Sequence, residues 1–175
     1  PGAAVTPVRV GVAGLGYWGP NLARNFDRLD GAELAWLCDE SEERLERHGT
    51  AFPGAKRAQS LDELLGDDSL DAIALATPVP THAPLALRVI EAGKHCFVEK
   101  PLAQSAEEAE RVVSAARAAD RVLDTQVLLL HRRRVGKPVP APKDRRDPRV
   151  DRDGALRLAQ LGRRLNRLLD RRVLR

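Results

Sequence analysis

No stretch of the chain approaches the ~18 consecutive apolar residues of a membrane-spanning helix. The first residues also lack the basic-then-apolar layout of a secretory signal. A soluble cytoplasmic protein is therefore expected, with no membrane partner. Cysteine is scarce, with Cys38 and Cys96 the only two among 175 residues. They form no C-x-x-C pair and stand in no cluster of ligand-type side chains, so both read as buried thiols of a reducing compartment, and no metal site is expected. Aromatic residues make up 3% of the chain and none follows Phe97, just as no glutamate follows Glu110.

These absences coincide with a reversal of charge. Residues 1–130 carry 13 Lys+Arg against 20 Asp+Glu, whereas residues 131–175 carry 16 against 5. A chain of this length holds one full domain and little more. The front portion, residues 7–125, is patterned like a folded domain. Residues 126–175 form an Arg/Leu/Pro-rich basic tail, to be read as disordered or as a single amphipathic helix.

The front portion opens on an apolar run, Val8 to Ala13, followed by Gly14-Leu-Gly-Tyr-Trp-Gly19 and a helix-like stretch from Pro20 to Leu29. The glycines fit G-x-G-x-x-G in a strand-turn-helix context. In a dinucleotide-binding turn the first glycine permits the bend, the second lets the backbone approach a pyrophosphate and the third allows close helix packing. The phosphates then lie at the helix N-terminus, where free N–H groups and the helix dipole favour an anion. A second apolar segment, Ala32 to Cys38, ends at Asp39, twenty positions after Gly19. An acid there can accept hydrogen bonds from the adenosine ribose and repels a 2′-phosphate, which favours NAD over NADP. The competing reading is that Asp39 only caps the helix beginning near Ser41.

Further along, the pattern predicts a helix over Ser41–His48, a short strand over Ala55–Ala58, and a helix opened by the capping-box spacing Ser60-Leu-Asp-Glu63. A strand over Ala72–Ala76 is broken by Thr77-Pro78-Val-Pro80. Thr81 is then expected to cap a helix with Pro84 in its first turn, running to Ala92 and stopped by Gly93. A strand over His95–Glu99 halts at Pro101, and Ser105–Ala119 reads as a long amphipathic helix with acidic residues near its start. This alternation predicts an α/β fold built on a doubly wound parallel sheet of Rossmann type.

Taken together, Gly14-Leu-Gly-Tyr-Trp-Gly19, Asp39, Ala76-Thr-Pro-Val-Pro-Thr-His82, Glu91-Ala-Gly-Lys-His95 and Glu99-Lys-Pro101 resemble the N-terminal domain of the glucose-fructose oxidoreductase, inositol dehydrogenase and MocA family, over about residues 7–123. The Tyr-Trp-Gly-Pro-Asn segment is similar to that of sugar or nucleotide-sugar dehydrogenases. The resemblance implies an NAD-dependent oxidoreductase that moves hydride to or from a carbinol carbon of a sugar-like substrate. It places Gly14, Leu15, Gly16, Tyr17, Trp18, Gly19, Asp39, Thr77, Pro78, His82, Glu99 and Lys100 at the cofactor and Lys100 at the reacting centre. There a fixed positive charge can stabilise a developing oxyanion. It also implies that Pro101 shapes its turn, where a cis peptide is in keeping with proline.

Family enzymes carry a second, substrate-binding domain that supplies a histidine base and mediates oligomerisation. Only about fifty residues follow the region of resemblance here, so the expectation is a truncated enzyme in which His131 does not stand in for that base. Apolar surface left on the last strand and helix would then favour self-association into a homo-oligomer. The alternative is a non-catalytic nucleotide-binding or partner-binding module that docks through the tail. The tail itself has three readings. One is a nucleic-acid-binding arm, which the missing aromatics disfavour. Another is a helix presenting Leu158, Leu161, Leu165, Leu168 and Leu169 on one side to a partner. The third is that a GC-rich reading frame has shifted near Val127. Resequencing the locus separates the third from the others: a frame change near that codon supports it, and an intact frame to Arg175 in independent isolates would sink it.

Overall fold

The computed structural model describes residues 6–125, so the tail, with His131 and the leucines Leu158, Leu161, Leu165, Leu168 and Leu169, lies outside the described residues. Strands β1 (Val8–Ala13), β2 (Ala32–Cys38), β3 (Lys56–Ala58), β4 (Ala72–Leu75), β5 (His95–Val98) and β6 (Leu123–Thr125) alternate with helices α1 (Gly19–Asp27), α2 (Glu42–Gly49), α3 (Leu61–Leu65), α4 (Val79–Glu91) and α5 (Ala106–Ala118). The strands form one sheet in the order β3-β2-β1-β4-β5-β6, and every neighbouring pair is parallel. This is the doubly wound Rossmann-type arrangement expected from the alternation, with the chain reversing its direction of travel across the sheet between β1 and β4. No helix among the described residues is long and apolar enough to cross a membrane.

Parallel strands covered on both faces must be apolar on both, and β4 and β5 have every residue buried. On one face Val8, Val10 and Val12 pack with Leu22 and Phe26 of α1 and Leu45 of α2. On the other, Ile73, Leu75 and Val98 pack with Ala86 and Val89 of α4 and Val112 of α5. Each fully buried Val, Leu or Ile contributes roughly 1.5–3 kcal/mol against the entropy of ordering the chain. Cys38 and Cys96 are free and buried in these layers, as expected. Burial pushes the Cys38 thiol up to about 12, reinforced by Asp39, Glu63 and Glu40. Burial also raises Cys96, so neither is a ready thiolate.

Helix ends follow the local chemistry of the sequence, with two differences. Ser41, Ser60 and Ser105 each cap a helix through the side-chain oxygen. At Ser60, however, the hydroxyl accepts from the Asp62 N–H at 3.2 Å rather than from Glu63, because α3 is a single short turn. The second difference is at α4, which begins at Val79, earlier than a Thr81 cap would allow. Pro80 takes the first-turn place and Pro84 lies inside the helix. The Thr81 hydroxyl instead donates to Pro78 O at 2.7 Å. Gly93 ends α4 as expected, in a left-handed conformation at φ +74°. The Lys94 N–H then reaches back to Val89 O at 3.1 Å and the Gly93 N–H to Ile90 O at 2.9 Å, which satisfies carbonyls the helix leaves open. Val122 and Leu123 around β6 are half-buried, and Tyr17 is the large hydrophobic left exposed among the described residues. The apolar surface expected on the last strand is thus partly covered.

The closure of α4 carries Lys94 into the interior, where it is 4% exposed. Its ammonium donates to Asp67 O at 2.7 Å and Leu70 O at 3.1 Å, tying the α3–β4 loop beneath the sheet. Burial lowers its pKa from the ordinary lysine value, partly offset by Asp67, Asp68 and Asp71. Lys94→Met keeps an unbranched apolar stem and removes the ammonium with both its bonds. It is expected to cost about 1–3 kcal/mol by stranding the carbonyls, measured by urea unfolding; an unchanged midpoint and slope would show that the loop does not depend on them.

Candidate functional site

In an open parallel sheet, ligands lie beyond the carboxyl ends of the strands, at the point where strand order reverses. Four loops meet at that edge here: 14–18 after β1, 39–41 after β2, 76–78 after β4 and 99–105 after β5.

Gly14 joins the first and third of these. It is left-handed at φ +92°, and a Cβ on it would lie 2.7 Å from the Ala76 carbonyl carbon and oxygen. Main-chain bonds hold this close approach, with the Gly14 N–H donating to Cys38 O and the Ala76 N–H to Ala13 O, both at 2.8 Å. Gly19 is tighter still, since a Cβ there would stand 1.8 Å from Gly14 O. At Gly16 a Cβ would meet nothing within 4 Å, and the residue is exposed. Two glycines are thus required by the protein's own packing, and the middle one faces open space. Tyr17 is 81% exposed beside it, its ring edge-on to Trp18 at 5.2 Å between centroids.

The helix that follows has an open N-terminus. The residue capping α1 is Trp18, which makes no side-chain cap bond, and the first turn holds no acidic residue. Indole has no acceptor to offer, and the Asn21 and Leu22 N–H groups turn back to Trp18 O, so the positive end of the helix dipole beside Gly16 is left without a protein anion. The α4 end, capped by Pro78, likewise has no side-chain cap bond. The residues present therefore fit a dinucleotide pyrophosphate: an uncapped helix start, an open glycine and an acid at the end of β2.

Asp39 does not itself cap α2, whose cap is Ser41, but it is bonded to the loops on either side of it. It is 7% exposed; Oδ2 accepts the Leu15 N–H at 2.7 Å and Oδ1 the Ser41 N–H at 2.9 Å. The carboxylate therefore fastens the glycine turn to the start of α2. Arg44 approaches Oδ1 at 3.6 Å from a half-exposed position. An ionised carboxylate accepts up to about four hydrogen bonds, so acceptor capacity remains for ribose hydroxyls.

At the other side of the cleft, Thr77 and Pro78 lie on the loop after β4, with the Thr81 hydroxyl 2.8 Å from that of Thr77. Lys100 is exposed at the end of β5, and the peptide joining it to Pro101 is cis, as expected. Glu99 is 4% exposed and accepts the Lys100 N–H at 3.3 Å. His82 departs from its expected cofactor contact. It is 1% exposed, with Nδ1 2.7 Å from Pro101 O and Nε2 2.8 Å from Thr77 O. Both ring nitrogens are taken up by main-chain carbonyls, so the side chain has no polar atom left for a dinucleotide. Sequence reasoning also missed the link from Asp39 to Leu15, whose only trace was an acid placed one residue past an apolar strand.

Comparison with known proteins agrees with this geometry. Residues 8–127 match the family described as an oxidoreductase family with an NAD-binding Rossmann fold. An uncharacterized oxidoreductase of Streptococcus pneumoniae is 38% identical over 111 residues, covering 63% of this chain and 29% of that protein. An alpha-N-acetylgalactosaminidase of Shewanella oneidensis is 36% identical over 118 residues, covering 62% and 26%. Among solved structures, GenD2 from gentamicin A biosynthesis, in complex with NAD, superposes with a TM-score of 0.66 at 34% identity, covering 71% of this chain and 36% of that one. The chain spans less than a third of the length of these two curated relatives.

Burial pushes the Glu99 carboxyl up from its ordinary 4.5, against the opposing pull of the Lys100 N–H, the Lys100 charge and His82. A carboxyl raised on folding contributes stability that is present below its unfolded value and lost as pH rises through its folded one. Glu99→Gln, neutral at every pH, should therefore gain on the wild type as pH climbs from about 4.5. Paired unfolding curves across pH test this, and a difference that stays constant would show that folding does not raise Glu99.

Proposed function

We propose, from the fact that this chain belongs to the oxidoreductase family with an NAD-binding Rossmann fold, that its site binds NAD in preference to NADP and serves hydride transfer at a carbinol carbon of a sugar or nucleotide-sugar. The observation that carries the cofactor reading is the pairing of an open Gly16 and an uncapped α1 with a buried acid at the end of β2. Bound NAD supplies a nicotinamide ring able to take up or give a hydride.

The chain's own residues divide the remaining work. Gly14 and Gly19 hold the turn against the sheet so that the N–H groups of 16–19 can receive phosphate oxygens. Asp39 fixes that turn through Leu15 and presents its remaining acceptor capacity to the ribose, where its negative charge disfavours a 2′-phosphate. Thr77 and Pro78 border the cofactor from β4. Lys100 places a positive charge where a substrate hydroxyl would become an alkoxide, so that charge developing on oxygen in the transition state is stabilised. Glu99 behind it answers part of that charge. A carbohydrate substrate is supported by the Shewanella relative, named for a sugar glycoside, and by the dehydrogenase-like turn.

Calorimetric titration of the full chain with NADH and NADPH, beside Asp39→Ala, tests the reading. NADH is expected to bind more tightly than NADPH, and Asp39→Ala to weaken NADH by about 10- to 100-fold, the worth of charge-assisted hydrogen bonds. A folded chain that binds neither nucleotide would leave the glycine turn as architecture alone.

A further inference from the structure

His82 belongs to the expected cofactor set, yet both its ring nitrogens lie against main-chain carbonyls, and its surroundings specify another task. A neutral imidazole has one N–H and one bare lone pair. Here both ring nitrogens face carbonyl oxygens, at 2.7 Å to Pro101 and 2.8 Å to Thr77, and the side chain is 1% exposed. A bare nitrogen at either place would set lone pair against lone pair at hydrogen-bond distance and leave a carbonyl unsatisfied where water does not reach. Two donors on opposite sides of the ring resolve both contacts.

We infer that His82 is the positioning residue for Lys100: as an imidazolium protonated on both nitrogens, it donates one hydrogen bond to Thr77 O and one to Pro101 O and so fixes the loop after β4 against the loop after β5. Pro101 directly follows Lys100 in the chain, so the bond to its carbonyl sets the path of the main chain that carries the Lys100 side chain. Thr77 borders the opposite wall of the same cleft. The ring charge is not isolated, because each N–H faces a carbonyl oxygen at hydrogen-bond distance. A buried charge is tolerable where its polar hydrogens are all hydrogen-bonded, and the two carbonyls satisfy both N–H groups of the imidazolium. Because α4 carries His82 in its first turns, the tie anchors both loops to a packed helix rather than to one another alone.

The consequence for catalysis rests on the reading of Thr77 and Lys100 as walls of the cofactor site, whereas the state of the ring does not, and two measurements keep them apart. Nitrogen NMR of the full-length, 15N-labelled chain without nucleotide reads the ring directly, with the His82 signals assigned by their loss in His82→Gln. Protons on both nitrogens near neutral pH are expected, and a bare, pyridine-type nitrogen would overturn the imidazolium. NADH titration then compares His82→Leu, which removes both donors, with His82→Gln, which restores donor capacity on one side. The leucine variant is expected to bind on the order of tenfold more weakly and the glutamine variant to recover part of the loss. A folded leucine variant with wild-type affinity would overturn the positioning role. Should the wild-type chain itself bind no NADH, the cofactor reading fails while the ring spectrum still decides the state of His82.

Discussion

The cleft depends on one close approach: α1 begins so near the end of β1 that Gly19 lies against Gly14 O, at a distance no side chain could share. Once the helix starts there, the turn has to fold tightly, Gly14 has to take a left-handed conformation, and β4 can come up beside β1 with the Ala76 N–H bonded to Ala13 O. The adjacency of β1 and β4 places the reversal of strand order, and with it the cleft. Asp39 then stabilises the turn from the far side by taking the Leu15 N–H. An acid that would be costly to bury alone is satisfied by main-chain donors, and the turn gains a fixed anchor.

The five helices among the described residues divide into two kinds by how they begin. Those opened by Ser41, Ser60 and Ser105 satisfy their leading N–H groups internally. The two that start beside the reversal of strand order, α1 and α4, have Trp18 and Pro78 at the cap position and no side-chain cap bond. A serine cap is worth about 1 kcal/mol, and its absence at these two ends, with no acidic residue in either first turn, leaves the positive end of each helix dipole without a protein anion beside the cleft. Stability forgone at α1 thus becomes capacity to receive an anion, the local inconsistency that functional sites commonly show against an otherwise consistent sequence.

Local rules made much of this legible in the sequence. The glycine spacing, the acid after β2, the serine caps and the Gly93 stop each follow from the conformation or hydrogen bond a single residue type supplies, and each appears in the structure where local chemistry puts it. What escaped was decided by partners distant in sequence. Asp39 bonds across 24 positions to Leu15, Lys94 across 27 to Asp67, and His82 across 19 to Pro101. Nothing in the spacing of those residues announces such bonds. The early start of α4 is a different case: two prolines offered two first turns, and the strand end at Leu75 selected the nearer one.

The two lysines that bracket β5 show how burial assigns a role to identical chemistry. Lys94 precedes the strand and Lys100 follows it, at opposite edges of the sheet. At the lower edge the ammonium is enclosed, its pKa drops with burial, and two of its donors are spent on loop carbonyls. That charge serves the fold. At the upper edge the side chain stands exposed, backed by a buried carboxylate one residue earlier. A flexible cation left in solvent would sample many positions and lose the advantage of preorganisation. The main chain beneath Lys100 is instead held between β5 and the ring of His82, which contacts Pro101 O, so the freedom that remains is that of the side chain alone, at the same strand-end edge of the sheet as the glycine turn and Asp39.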